Sequence, residues 1–88
     1  MEAMIDGGYK AVIVNGGALL KVLDQAGAEV CVIRPPRYGL FYQFAEHAIH
    51  GECPIVSFES AHKINGWQDW YFKINVEAKC ISQLNPWR

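Results

Sequence analysis

Residues 70–80, WYFKINVEAKC, alternate between apolar and polar or amphipathic side chains without a break. A period of two predicts a β-strand with one buried face and one solvated face. Eleven residues exceed the usual strand length of about five or six, so we expect a bulge or bend near Asn75. The segment predicts a sheet in which the even-numbered face, from Trp70 to Cys80, covers a core.

The N-terminal third of the chain allows two interpretations. Residues 9–14 and 28–33 are rich in β-branched side chains and predict strands. Residues 18–26, ALLKVLDQA, suit a helix that ends at Gly27, which would give a β-α-β start and a mixed sheet. They equally suit a strand after an Asn15-Gly16 hairpin turn. Asn-Gly between apolar runs favours the second interpretation, a three-stranded meander.

Residues 37–50 predict one main helix. Pro36 suits the first helical position and Gly51 suits the position after the helix. Apolar side chains cover roughly 200° of its circumference, twice what a helix on a sheet needs. The sequence thus predicts an α+β fold, most simply β-β-β-α-β-β, with the helix packed on the apolar face of an antiparallel sheet.

Size and composition narrow the class of protein. Eighty-eight residues predict one small domain, with residues 1–8 and 83–88 as flexible or docking tails. The net charge is −1 and no cationic cluster is present, which disfavours nucleic-acid binding. No run approaches the roughly 18 apolar residues of a membrane span. Three cysteines without a signal peptide predict a cytoplasmic protein with reduced thiols.

Two groups of residues suggest ligand sites. His47, His50 and Cys53 have an H-x2-H-x2-C spacing, and imidazole and thiolate are zinc ligands. A fourth ligand is not evident, so the same residues also suit an ordinary solvated helix edge, and we expect no cofactor. Arg34 and Arg37 flank the start of the predicted helix, where a phosphate or carboxylate could bind. The alternative is a pair of solvated arginines.

The surplus of apolar surface points to a protein partner. Tyr38, Tyr42 and Ile49 extend the apolar arc beyond what one sheet can cover, and Trp67 and Tyr71 add aromatic contact area. We expect a non-catalytic protein-interaction module that forms a homodimer. A tail folded back over this arc would be an intramolecular alternative, and a domain that binds a metal or a small anionic molecule is the second functional hypothesis. No catalytic signature is present, so an enzyme is not favoured.

Overall fold

The computed structural model describes residues 1–88 and contains eight β-strands and no α-helix. Short 3-10 turns occur at Asp6–Gly8, Asn15–Gly17 and Ser60–His62. The strands are β1 (Glu2–Ile5), β2 (Tyr9–Val14), β3 (Leu19–Leu23), β4 (Glu29–Ile33), β5 (Gly39–His47), β6 (Gly51–Phe58), β7 (Asp69–Asn75) and β8 (Cys80–Pro86).

The strands form two four-stranded antiparallel sheets, each a simple meander. The N-sheet has the order β1-β2-β3-β4 and the C-sheet the order β5-β6-β7-β8. One face of each sheet contributes to a shared core, as expected when two sheets bury their apolar faces against each other. The buried members of this core are Ala11, Leu20, Val22, Cys31, Ile33, Phe41, Val56, Phe58, Trp70 and Phe72.

The meander interpretation of the N-terminal third is confirmed. Residues 18–26 form no helix, because the chain reverses at Asn15 and Gly16, both with positive φ, and returns as β3. Leu20 and Val22 are fully buried at alternate positions of that strand. The alternative β-α-β start with a mixed sheet is therefore wrong.

The predicted helix over residues 37–50 is also wrong, and with it the α+β fold class. Its residues form β5 and the turn into β6. A β-bulge explains the misleading pattern, because Phe41 pairs with Val56 and Gln43 with Ile55, which leaves Tyr42 unpaired. The extra residue places Phe41 and Phe44 against the same core at a spacing of three, which imitates a helical period.

The long alternating segment near the C-terminus is a hairpin. Trp70 and Phe72 are buried in β7, which confirms the even-numbered core face there. The chain then turns, with the Ala78 N–H donating to Asn75 Oδ1 at 3.0 Å, so the expected bend near Asn75 is a complete reversal. Cys80 starts β8 and is exposed, contrary to its predicted place on the buried face.

Both ends of the chain lie in or beside edge strands. Residues 1–8 contain β1, and the Met1 carbonyl accepts a hydrogen bond from the Ile13 N–H at 2.9 Å. Residues 83–88 contain the end of β8, and the Trp87 N–H donates to the Asp69 carbonyl at 2.9 Å. The helical segments are all short 3-10 turns, and none has the length and apolarity that a membrane crossing requires.

Candidate functional site

An open groove of about 830 Å³ lies where the β2–β3 turn meets the start of β5. The turn, Asn15–Gly17, forms one wall, and Tyr38, Leu40 and Tyr42 form the other. Glu59 is the one acidic side chain in the lining, which contains no lysine, arginine or histidine. The groove therefore combines apolar walls with a single negative charge.

Gly17 sets the shape of the groove by its contact with β5. Its φ is +97°, and a Cβ added there would lie 2.2 Å from the carbonyl oxygen of Phe41. Only glycine fits both the backbone conformation and the close approach. The turn from the N-sheet thus lies directly on the backbone of the first strand of the C-sheet.

Tyr38 occupies a strained position at the rim. It has a φ of +66°, in a turn closed by a 3.0 Å hydrogen bond from the Gly39 N–H to the Pro36 carbonyl. Glycine or asparagine is usual at this turn position, and a left-handed conformation costs other residues roughly 1–2 kcal/mol. Such strain clusters at functional sites, which makes Tyr38 a candidate contact residue.

Two further residues hold the Tyr38 ring. The His62 imidazole stacks on it with a centroid separation of 3.5 Å and an interplanar angle of 8°. The Arg37 guanidinium carbon lies 4.9 Å from the ring centroid, in a cation–π contact. The ring is therefore oriented before any partner arrives.

The second wall of the groove exposes apolar side chains on an edge strand. Leu40 and Tyr42 are 52% and 55% exposed, and Tyr38 is 39% exposed. All three residues line the groove: Leu40 and Tyr42 are two apart in β5, and Tyr38 lies in the turn directly before the strand. We call them the aromatic edge. Trp87 lies beside Tyr42, with centroids 6.1 Å apart, so the C-terminal segment contacts this edge without covering it.

The remaining predicted interface residues lie elsewhere. Ile49 is exposed in the β5–β6 turn, at the opposite end of β5. Trp67 is partly exposed and contacts the Arg88 guanidinium at 4.7 Å. The Tyr71 hydroxyl donates to the Glu46 carbonyl at 3.0 Å, so this ring is held within the C-sheet. The structure does not bring these three residues together with the aromatic edge.

His47 has a structural environment rather than that of a metal ligand. Its Nδ1 accepts hydrogen bonds from the Ile49 and His50 N–H groups at 3.1 and 3.3 Å. The proton therefore resides on Nε2, which donates to Asn85 Oδ1 at 2.6 Å. The ring also meets the edge of Tyr71, at 4.8 Å between centroids. Both nitrogens are thus occupied in holding the β5–β6 turn to β8.

The other two members of the predicted zinc site are placed by the same hairpin. The His50 ring lies 5.1 Å from the His47 ring, in the turn, and Cys53 is buried in β6. No group of three His, Cys, Asp or Glu side chains is arranged to hold a metal ion. His47, His50 and Cys53 do not form a cluster of ligands, because they lie along a hairpin turn and not on one face of a helix.

The predicted anion site at Arg34 and Arg37 depended on a helix that the structure does not contain. No helix begins after Arg34 and Arg37, so the expected positive end of a helix dipole is not there. Arg37 instead stacks on Tyr38, and Arg34 is exposed at the end of β4. Arg34 and Arg37 therefore lack the helix N-terminus on which the predicted anion site depended.

All three thiols are free, and none lines the groove. Burial raises the pKa of Cys31 and of Cys53 above the ordinary value of 9.0, against the opposing effect of Lys79 near Cys31 and Lys73 near Cys53. A raised pKa disfavours the nucleophilic thiolate. These two cysteines therefore behave as small core residues.

Sequence reasoning missed the groove itself. In sequence, Asn15-Gly16 indicates chiefly a tight turn, and Leu40 falls within the predicted helix over residues 37–50. The alternation of Tyr38, Leu40 and Tyr42 would have indicated an exposed strand edge, but the bulge at Tyr42 ends that alternation after three positions.

Comparison with known proteins adds no family assignment. No protein family, curated protein or solved structure matches this chain.

Proposed function

We propose that this chain is a non-catalytic protein-interaction module that binds an extended segment of a partner protein in the groove beside the aromatic edge. The observation that carries the proposal is the exposure of Leu40 and Tyr42 on the edge strand β5, and of Tyr38 in the turn before it, beside an 830 Å³ groove. Large exposed apolar patches on small proteins mark interaction sites.

The form of the groove favours a peptide segment over a small molecule. Small-molecule sites bury most of their ligand, whereas Leu40 and Tyr42 keep about half of their surface in solvent. Two oriented tyrosines are suited to protein contacts, because each ring packs while its hydroxyl stays hydrated. An extended partner segment places alternate side chains on one face, so these side chains can contact Leu40 and Tyr42 without main-chain pairing to β5.

The charge of the groove indicates the chemistry of the partner. Glu59 is the one charged residue in the lining, and its carboxylate is 3.7 Å from His62 Nδ1. A complementary segment carries an aliphatic or aromatic anchor with a lysine or arginine next to it. The three free thiols are consistent with a reducing compartment, and we place the protein in the cytoplasm on that basis.

Selection from a random peptide library displayed on phage tests this proposal. Peptides enriched on the wild-type protein are expected to share an apolar anchor next to a basic residue. Leu40→Glu is expected to weaken their binding about tenfold or more, because it puts a charge into an apolar contact. Glu59→Lys is expected to weaken binding through charge repulsion.

Ile49→Glu is the matched control, since Ile49 is still more exposed and lies at the other end of β5. This variant should bind the selected peptides as the wild type does. The proposal is overturned if no peptides enrich, or if the enriched peptides bind wild type, Leu40→Glu and Ile49→Glu equally, with circular dichroism showing all three folded.

A further inference from the structure

The four edge strands of the molecule differ in how well they are protected from pairing with another chain. β1 has four residues. β5 carries the bulge at Tyr42 and the Gly17 contact, and β8 has a register shift and ends at Pro86. Short length, bulges and proline are the devices by which edge strands avoid intermolecular pairing.

The edge strand β4 has a bulge at Val30 and is followed by Pro35 and Pro36, but it has no such device from Cys31 to Arg34. It reads EVCVI, pairs only with β3, and contains neither lysine nor proline. Val32 is 42% exposed on the outer face of the N-sheet. No main-chain hydrogen bond outside the β3 pairing is formed by residues 29–33. The free edge of β4 is therefore open to a further strand.

A bulge in β4 determines which side chains share its outer face. Val22 pairs with Cys31 and Leu23 with Glu29, so Val30 is the extra residue. Glu29 consequently points to the outer face, where its carboxylate lies 3.6 Å from Lys21 Nζ. The side chains of Glu29, Val32 and Arg34 thus follow one another along the outer face of β4, with Val32 at the centre of this row.

This row is complementary to itself when reversed. If two β4 strands pair in antiparallel fashion about Val32, each Val32 opposes its copy. Counting the bulge at Val30, Arg34 then opposes Glu29 of the second copy, and Ile33 opposes Cys31. Opposite charges and β-branched side chains in directly opposed positions stabilise antiparallel pairs.

We infer that two copies of this chain associate through β4 into a twofold dimer with one continuous eight-stranded N-sheet. A twofold interface requires a surface that complements itself, which the row of Glu29, Val32 and Arg34 provides. The interface lies on a different strand and a different sheet from the aromatic edge. The inference is therefore independent of the proposed function.

Charge reversal tests the pairing. In sedimentation equilibrium the wild type is expected to form a dimer that dissociates on dilution. Arg34→Glu places two carboxylates opposite each other, and Glu29→Arg two guanidiniums, so each should weaken the dimer about tenfold or more. The double variant Glu29→Arg/Arg34→Glu restores opposite charges and should recover the wild-type dissociation constant.

A cysteine at the centre of the interface tests the register. Opposed residues of an antiparallel pair have Cα atoms about 4.5–5.5 Å apart, a separation that a disulfide can bridge. In a Cys80→Ser background, Val32→Cys should give a covalent dimer under mild oxidation. Val12→Cys in the same background is the control, because Val12 lies on the outer face of an inner strand, away from β4, and should form no covalent dimer.

Several results would overturn the dimer. These are a wild type that is monomeric at every concentration, a double variant that stays dissociated, or a Val32→Cys protein that forms no more covalent dimer than Val12→Cys. If Leu40→Glu dissociated the dimer and Arg34→Glu did not, the protein would self-associate through the aromatic edge, and the β4 interface would be refuted. Peptide binding by a monomeric wild type would refute the dimer and leave the proposed function intact.

Discussion

The two sheets contribute different kinds of side chain to the shared core. The N-sheet contributes small and aliphatic side chains, such as Ala11, Leu20 and Val22, while the C-sheet contributes mostly aromatic ones, including Phe41 and Trp70. The outer face of the N-sheet carries two exposed ion pairs, Lys10 with Glu2 and Lys21 with Glu29. The outer face of the C-sheet carries a network of hydrogen bonds between rings and main chain.

The two sheets also differ in how regular their strand pairing is. The N-sheet has aliphatic strands joined by glycine turns and a single bulge, at Val30, and its exposed ion pairs add little to its stability. The C-sheet contains bulges in two of its strand pairs and holds a second buried group, Ile55 and Cys53, outside the shared core. Its irregularities free Tyr42 from pairing and place it at the groove. Both sheets nevertheless line the groove, the N-sheet through the Asn15–Gly17 turn and the C-sheet through residues of β5.

The largest effect is expected where the two sheets touch. Gly17→Ala should destabilise the protein by at least about 4 kcal/mol, because the added methyl would overlap the Phe41 carbonyl. Gly16→Ala, with positive φ but no atom within 4 Å of the new methyl, should cost only about 1 kcal/mol. Urea denaturation measures both. Equal losses would show that backbone strain and not contact between sheets governs this turn.

The network on the outer face of the C-sheet should give the next largest effect. His47→Ala removes the acceptor of two N–H groups and the partner of Asn85, so it should cost about 2–3 kcal/mol. His50→Ala, three residues away and partly exposed, should cost less than about 0.5 kcal/mol. Similar melting temperatures for the two variants would contradict the structural role of His47.

Tyr38 should separate stability from binding. Tyr38→Gly relieves a left-handed backbone worth about 1–2 kcal/mol and loses ring contacts worth about 0.5–1.5 kcal/mol, so stability should change by no more than about 1 kcal/mol. Binding of the selected peptides should nevertheless be lost. Tyr38→Phe retains the ring and should retain binding. Intact binding by the glycine variant would remove Tyr38 from the site.

The smallest expected effect concerns the buried thiols, one in each sheet. Burial raises the pKa of Cys31 and Cys53, so the folded state favours their protonated forms. Their contribution to stability is complete below the ordinary pKa of 9.0 and is lost as pH rises through the raised values. Cys31→Ala and Cys53→Ala should each reduce the alkaline loss of stability.

Alkylation of the native protein tests whether Cys31 and Cys53 are buried. Cys80 is exposed and should react with iodoacetamide well before the two buried thiols. Peptide mapping of the modified protein identifies the sites. Equal rates at all three cysteines would show that burial does not protect Cys31 and Cys53.

Prediction from sequence succeeded where local rules decide the structure. Asn15 and Gly16 are a hairpin signal that favours a strand over a helix for residues 18–26, and the β-branched content of residues 9–14 and 28–33 predicts β2 and β4. The alternation through Trp70 and Phe72 also gave the correct buried face. Neither inference needs knowledge of distant residues.

Prediction failed where tertiary pairing overrides the local pattern. Phe41 and Phe44 have helical spacing in sequence, and only their pairing with Val56 and Pro54 of β6 reveals a bulged strand. The groove was invisible for the same reason, since Gly17 and Phe41 meet only when the two sheets pack. The zinc and anion hypotheses both depended on the helix and lost their geometric basis with it.

The chain passes from one sheet to the other only once, through residues 34–38 between β4 and β5. Every strand pair consequently joins neighbours in sequence, so no strand of the N-sheet needs a pairing partner from the C-terminal half. A cut in this linker would separate no strand from its partner. The gene could therefore be divided there into two fragments that reassemble through the shared core, each carrying one whole sheet.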